Sequence, residues 1–414
     1  MPGQYLHGVE VIEMPMAPSI NSVDSSVIGL IGILDLNKTT VSAQKTEGTN
    51  DDNQGGQVTE DKKDPNNKFY KEPYLVTSID NFFNHFGENS TGTLVETLQD
   101  IYSQVVTKVV VAPIKTKDDI AEGIKLLEKS AEKLKVGPKI LVAPELTTNS
   151  SEVKELANKL VEAAKKLKAV ALVDLIAEKN ELAEIQAATN DLAQSDRLYL
   201  LYPNVIVKRK NKKEDEENKE IDTVRPASAF VAGLMVKSDN ERGYWYSPSN
   251  YKLSNISGLA EEIDFTLGDA NCLANDLNKI NINTIIWQGG YRLWGNKSYI
   301  KEGPDKNFEF LPVRRTADVL NMSLLENHMW AIDQTITKNL IDTIVDSVNA
   351  FIRKLKLQGA IINGKCWADL VKNTADSLTL GHFYINFDFS APYPAERITF
   401  QSFITKDYLN EALA

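Results

Sequence analysis

Between residues 105 and 202 the chain switches repeatedly between two hydrophobic patterns. Residues 105–112, 139–143, 169–176 and 197–202 are short, nearly continuous apolar runs, the pattern of strands buried on both faces. Between them the apolar positions recur at helical spacing. Residues 118–135 place Ile120, Ile124 and Leu127 on one face, and residues 151–168 do the same with Val153, Leu156, Leu160, Ala164 and Leu167. Residues 180–194 predict a further helix. Strands alternating with amphipathic helices predict a parallel sheet covered on both sides, an α/β body.

The flanks read differently. Residues 4–13 predict an extended strand with Tyr5, His7, Val9 and Val11 on one face and Leu6 and Ile12 on the other. Pro15 and Pro18 separate it from the rest of the chain, and a lone strand cannot satisfy its own backbone groups. Residues 26–34 predict a second strand, interrupted by Gly29 and Gly32, and residues 93–104 a helix. Residues 37–68 hold almost no apolar side chains, so they predict a surface insertion that cannot offset its ordering entropy by burial. Short apolar runs at 205–207 and 221–224 flank the charged residues 208–220, which predicts a solvated hairpin or loop. A helix is expected from Pro226 to about residue 237. The longest helix is expected over 332–357, with Ile332, Ile336, Leu340, Ile344, Val348, Ile352 and Leu355 as its apolar stripe and Gly359 at its stop. That stripe leaves Lys338, Asp342, Asp346, Arg353 and Lys356 on the opposite side. Residues 382–389 predict a strand, Pro392 and Pro394 break it, and residues 398–404 could form one more.

Composition narrows the function classes. With 414 residues the chain suits two or three domains, and 42% hydrophobic with 25% charged residues is a globular composition. A net charge of −11 argues against nucleic acid as a partner, since phosphate binding calls for a basic face. Lys208, Arg209, Lys210, Lys212 and Lys213 offer the beginnings of such a face, but Glu214, Asp215, Glu216 and Glu217 beside them cancel its field. Cys272 and Cys366 make no disulfide framework or metal motif and are expected as small buried hydrophobes. The start of the chain lacks the pattern of a secretory signal, and no apolar run nears the roughly 20 residues of a membrane helix. No membrane insertion is expected.

Candidate chemistry is sparse. Gly359-Ala360-Ile361-Ile362-Asn363-Gly364-Lys365-Cys366 approaches a phosphate-binding loop, but Cys366 stands where a magnesium-binding hydroxyl is needed. The stretch also comes after a helix rather than a strand, so a turn at a helix end is the simpler reading. His7, His85, His328 and His382 are scattered and no nucleophile elbow is present, so no serine-hydrolase triad can be assembled. Trp245, Trp287 and Trp294 with Tyr244, Tyr246 and Tyr291 suit packed loops and subunit contacts better than a sugar or base platform. No catalytic, cofactor or metal residues are assigned.

Three blocks in the second half carry a resemblance. They are Arg225-Pro226-Ala227-Ser228-Ala229-Phe230-Val231-Ala232-Gly233-Leu234, then Asn240-Glu241-Arg242-Gly243-Tyr244-Trp245-Tyr246-Ser247-Pro248-Ser249-Asn250, then Gly289-Gly290-Tyr291-Arg292-Leu293-Trp294-Gly295-Asn296-Lys297. Leu311-Pro312-Val313-Arg314-Arg315-Thr316-Ala317-Asp318 comes after them. In order and spacing these resemble the sheath subunits of contractile phage tails and R-type pyocins. The resemblance extends from Tyr5-Leu6-His7-Gly8-Val9 to Asn373-Thr374 and Glu396-Arg397-Ile398-Thr399-Phe400. It implies a central subtilisin-like α/β domain without a catalytic triad, a small β-rich domain, a C-terminal α/β domain and extended terminal arms.

On this chain the implied division is an N-terminal arm over 1–24, a β-rich domain over 25–104 with its insertion at 37–68, and the subtilisin-like domain over 105–285. The C-terminal sheath domain would span 286–391 and the C-terminal arm 392–414. The resemblance further implies stacked six-membered rings around a rigid tube. A metastable sleeve contracts on a baseplate trigger and drives the tube through a target envelope. The implied partners are further copies of the chain, the tail tube protein, and baseplate and tail terminator proteins, with no cofactor. Assembly would take place in the bacterial cytoplasm, giving a virion tail or a released particle. Leu6, Val9, Val11 and Ile12 in one arm, and Ile398, Phe400 and Phe403 in the other, are expected to add strands to neighbouring subunits. Lys338 and Arg353 are expected either to meet an acidic tube or to belong to a solvated helix face. A static filament or capsid protein, or a hydrolase on a subtilisin-like fold, are the alternatives.

Overall fold

The computed structural model describes residues 19–36, 65–210 and 220–413. Its strands are β1 (Ile28–Ile33), β2 (Asp35–Leu36), β3 (Tyr74–Val76), β4 (Ser90–Thr91), β5 (Val109–Ile114), β6 (Ile140–Val142), β7 (Val170–Asp174) and β8 (Leu198–Leu201). They continue with β9 (Val205–Lys210), β10 (Glu220–Arg225), β11 (Gly258–Leu259), β12 (Ile282–Trp287), β13 (Tyr291–Trp294), β14 (Asn363–Ala368) and β15 (Ile385–Ser390). The helices are α1 (Ile79–Phe86), α2 (Thr93–Tyr102), α3 (Ile120–Glu128), α4 (Ser130–Leu134), α5 (Ser150–Leu167) and α6 (Leu182–Ala187). After them come α7 (Ala227–Arg242), α8 (Leu273–Lys279), α9 (Leu311–Asn327), α10 (Lys338–Gln358) and α11 (Ala375–Thr379).

Eight strands form one sheet in the order β13-β12-β8-β7-β6-β1-β5-β3. Its six inner strands are parallel, and β3 and β13 close the two edges antiparallel. Strand β1 sits inside the sheet, with Ile28 opposite Val109 of β5 on one side and Ile140 of β6 on the other. One face packs its Ile28, Leu30, Val109 and Val142 against Phe230 and Leu234 of α7 and Leu98 of α2. The other packs Ile31, Val110 and Leu141 against Leu127 of α3 and Leu156 and Leu160 of α5. Helix α7 is buried on every side from Ala227 to Val236, which is why its sequence shows no polar stripe.

This sheet corrects the expected domain boundaries. Strands β1 and β3 belong to it, so residues 25–36 and 74–104 do not make a separate β-rich domain. The boundary expected after residue 285 falls inside β12. The physical reason is pairing distance: parallel strands take partners far along the chain, so a boundary drawn from local composition cuts through a sheet. Several elements are also shorter than their hydrophobic pattern. The helix expected over 118–135 is broken at Lys129 into α3 and α4, and the one expected over 180–194 ends as α6 at Ala187. Helix α7 instead runs on past residue 237 to Arg242. Strands β9 and β10 form the hairpin around the charged run, whose residues 211–219 lie outside the described residues. The insertion at 37–68 is described only from residue 65, where a 3-10 helix covers Pro65–Lys71.

After the sheet the chain builds a smaller α/β unit. Val319 and Leu320 of α9, the stripe of α10, and Ile361 and Cys366 share one core. Helix α10 begins at Lys338, later than residue 332, because Thr337 caps it by accepting from the Leu340 N–H at 3.1 Å. Ile332 and Ile336 therefore precede the helix, and the buried stripe is Leu340, Ile344, Val348, Ile352 and Leu355. Gly359 ends it with φ +79°, and the chain passes directly into β14, so the near phosphate loop is a helix-to-strand turn. β14 pairs antiparallel with β15, which begins at Ile385 rather than 382. Both cysteines are buried, and burial pushes the Cys366 thiol up to about 11.

The glycines that interrupt β1 mark close approach. A Cβ on Gly32 would stand 2.9 Å from the Leu94 Cα, where helix α2 lies directly on the strand. Gly32→Ala should therefore lower stability by about 1–3 kcal/mol through overpacking. Urea unfolding of the free subunit checks this: the midpoint should fall with little change in slope.

Candidate assembly surfaces and the cleft at the strand ends

An α/β sheet places its ligand sites beyond the carboxyl ends of its strands. Here that position holds a cleft of about 140 Å³ lined by Pro144, Glu145, Asp174, Asn204, Arg225 and Ser228 among others. Asp174 ends β7 and faces the first turn of α7. Its carboxylate accepts from the Ser228 N–H at 2.8 Å and from the Ser228 hydroxyl. Burial pushes the Asp174 carboxyl up to about 6, and the hydrogen bonds from Ser228 and Ala227 oppose that shift. Behind it, Arg225 donates to Asp100 at 2.7 Å, to Glu96 at 2.8 Å and to Glu145 at 2.6 Å, and Arg209 also pairs with Asp100. Burial raises the carboxyls of Asp100 and Glu145, against the pull of Arg225.

These contacts brace the cleft between the ends of β6 and β7 and the start of α7. Ser228 donates straight to a carboxylate, and no histidine lines the cleft among the described residues. His85 and His382 are exposed, and His328 meets the Leu324 carbonyl at 2.7 Å at the end of α9. The carboxylate is seated at a helix N-terminus, where the exposed amides favour negative charge.

The two ends of the chain differ. Residues 20–23, expected to belong to a free arm, pack on the body. Ile20 is buried with the α9–α10 core, Asn21 and Asn327 exchange hydrogen bonds at 3.2 and 3.0 Å, and the Val23 N–H donates to Ser323 at 3.1 Å. Leu6, Val9, Val11 and Ile12 lie outside the described residues. At the other end, Tyr393 stacks edge-on against Phe310 at 5.7 Å and Glu396 pairs with Lys297 at 2.8 Å. Beyond these contacts Ile398, Phe400, Phe403 and Ile404 are 70, 91, 83 and 104% exposed, and residues 398–404 form no strand within the chain. The β14–β15 pair is also a sheet of two strands only.

Lys338 and Arg353 are both exposed on α10, with Asp342, Asp346 and Lys356. The aromatic block divides. Tyr244 is buried, Trp294 packs on Phe265 at 5.1 Å, and Trp287 is exposed beside Tyr291 at 4.9 Å. Sequence reasoning missed the polar face of α9. Arg314, Arg315 and Asp318 are buried and paired with Arg197, Asp196 and Asp239. The i, i+4 spacing of Arg314 and Asp318 was the available signal, but it fits an exposed helix equally well.

The Asp174 brace predicts a pH signature. The folded-state value, about 6, lies above the ordinary 3.8, so the folded chain holds the proton more tightly than the unfolded one. The resulting stabilisation is present below about pH 4 and lost as pH rises through about 6, a change of about 3 kcal/mol. In Asp174→Asn this slope should vanish. Denaturant unfolding of parent and variant at pH 4.5 and pH 7 should show the parent losing stability relative to the variant.

Comparison with known proteins places these features. Residues 116–299 match the model of the phage tail sheath protein central domain, and residues 303–405 that of the phage tail sheath C-terminal domain. A prophage major tail sheath protein of Pseudomonas aeruginosa (strain UCBPP-PA14) is 35% identical over 70% of this chain and 71% of its own length. The tail sheath protein of Escherichia phage P2 is 28% identical over 98% and 97%. Among solved structures, the helical sheath of the anti-feeding prophage in its contracted state covers 98% of this chain and 100% of its own, at 18% identity and a TM-score of 0.70. With more than two thirds of both chains aligned at 35% identity to a tail sheath protein, and sheath models matched on both sides of residue 300, the chain belongs to the phage tail sheath protein family.

Proposed function

We propose that this chain is the structural subunit of a contractile tail sheath. It polymerises as stacked hexameric rings around a rigid tube, and the sleeve contracts from a metastable extended state to drive that tube through a target envelope. One observation carries the reading beyond family membership. The C-terminal arm leaves a braced body and presents Ile398, Phe400, Phe403 and Ile404 to solvent, an apolar segment that no part of the same chain covers among the described residues. Such a segment needs a second molecule, and β14–β15 with its two outer edges is a sheet to which a strand can add. Residues 1–18 would make the reciprocal contact. The partners are then other copies, a tail tube, and the baseplate and terminator at the two ends.

The parallel sheet, with Asp174 and Ser228 engaged only with each other and a helix end, supports a subtilisin-like body put to mechanical rather than enzymatic use. No nucleotide is required, because the energy of contraction is stored as the difference between two packings of one subunit. Subunits are made in the bacterial cytoplasm and end in a virion tail or a released particle.

Two experiments test this. One variant is Phe400→Asp with Phe403→Asp, which should leave the unfolding midpoint of the free subunit unchanged because both side chains are more than four-fifths exposed; the other is deletion of residues 1–18. Either variant should form no sleeves by electron microscopy. Contracting sleeves from both would refute strand exchange, and straight filaments that never shorten would favour a static assembly.

The exposed face of α10 is the proposed tube contact. Each ion pair there contributes only about 0–1 kcal/mol and is screened by salt, but it repeats at every subunit. Lys338→Glu with Arg353→Glu should therefore give empty or prematurely contracted sleeves while the subunit still folds. Normal assembly on tubes would exclude this face.

A further inference from the structure

We propose that the buried ion network beneath α9 is an orientation key: it fixes how the C-terminal unit is seated on the sheet, and it is not a source of stability. Helix α9 is the bridge between the two. Its Val319 and Leu320 enter the core of α10, β14 and β15, while Arg314, Arg315 and Asp318 turn the other way, only 8, 4 and 5% exposed. Asp318 accepts both prongs of Arg197, which precedes β8, at 2.6 and 2.7 Å. It also accepts from Arg314 at 2.9 Å. Arg314 reaches Asp196 at 3.1 Å and lies over the Phe308 ring at 4.3 Å. Arg315 donates to Asp239 of α7 at 2.8 Å and to the Ser25 carbonyl at 3.0 Å, and Ser26 donates to the same Asp239 at 2.9 Å. Arg197 further donates to the Ala169 carbonyl at 2.9 Å. Arg197, Arg314 and Arg315 are thus balanced by Asp196, Asp239 and Asp318.

Hydrophobic contact is non-directional, so an apolar face under α9 would tolerate rotation or a slide along the sheet. A guanidinium fork meets a carboxylate in one planar geometry. A shift of one helical turn, about 5.4 Å, would leave buried charges of both signs unpaired. Alternative seatings are thereby excluded. The network does not have to stabilise the seated state to do this, because removing ions from water costs about as much as their pairing returns. Orientation matters here because both the C-terminal arm and the exposed face of α10 are aimed from the unit that α9 carries.

The test uses the full chain as free subunit, so its outcome does not depend on the sheath reading. Spin labels at Lys165→Cys on α5 and Asp342→Cys on α10, both exposed, report the distance between sheet body and C-terminal unit. The quadruple variant Arg197→Met, Arg314→Met, Asp196→Leu, Asp318→Leu removes the central charges at similar volume. It should unfold cooperatively within about 4 °C of the parent or above it. Its distance distribution should be about twofold broader or split, as several near-equivalent helix seatings become open. Arg197→Lys, which keeps the charge and loses the fork, should broaden it as well. A quadruple variant that fails to fold, or melts far below the parent, would make the network a stability element and overturn the proposal. A distribution as narrow as the parent's in both variants would overturn it too.

Discussion

A parallel sheet has no face to spare for water, and most of this architecture answers that constraint. The inner strands carry apolar side chains to both sides, so helices must lie close on each face. Close approach needs small residues at the contacts, which is why β1 carries Gly29 against Pro138 and Gly32 against α2. It also leaves α7 without a solvent face from Ala227 to Val236, since that stretch packs against both the sheet and α2.

The same burial raises the stakes for every polar group left inside. Two solutions appear. Around Asp174 and Arg225 the carboxylates outnumber the cations, and burial, with a smaller push from neighbouring carboxylates, raises their proton affinities. Under α9 arginines and aspartates are matched one for one, in bidentate or shared pairs. The first cluster closes a cleft where an enzyme of this architecture would keep its chemistry. The second ties a helix of the smaller unit to the sheet body. Both commit burial to geometry, which suits a part that must hold its shape while its contacts with neighbours change.

At the periphery the logic inverts. Large apolar side chains of the C-terminal arm stand in water, although the same chain buries comparable residues throughout its sheet. A monomer gains nothing from that arrangement, whereas the proposed strand exchange would cover each such arm with the next copy.

The sequence by itself determined the alternation of strands and helices over 105–202 and the stripe of α10 from Leu340 onward. Each of these is written in local periodicity or residue type, which survives without knowing the partners. The family was legible too, because ordered blocks such as Gly289–Lys297 are a property of the string. Tertiary structure alone decided the rest. That β1 and β3 enter the main sheet depends on pairing with residues far along the chain, which no local pattern encodes. The start of α10 was set by a single Thr337 cap, stronger than the apolar spacing of Ile332 and Ile336. Arg314, Arg315 and Asp318 look like any solvated helix face until Arg197, Asp196 and Asp239 arrive opposite them. A charge is buried or exposed according to what the fold brings against it, and only the folded chain contains that information.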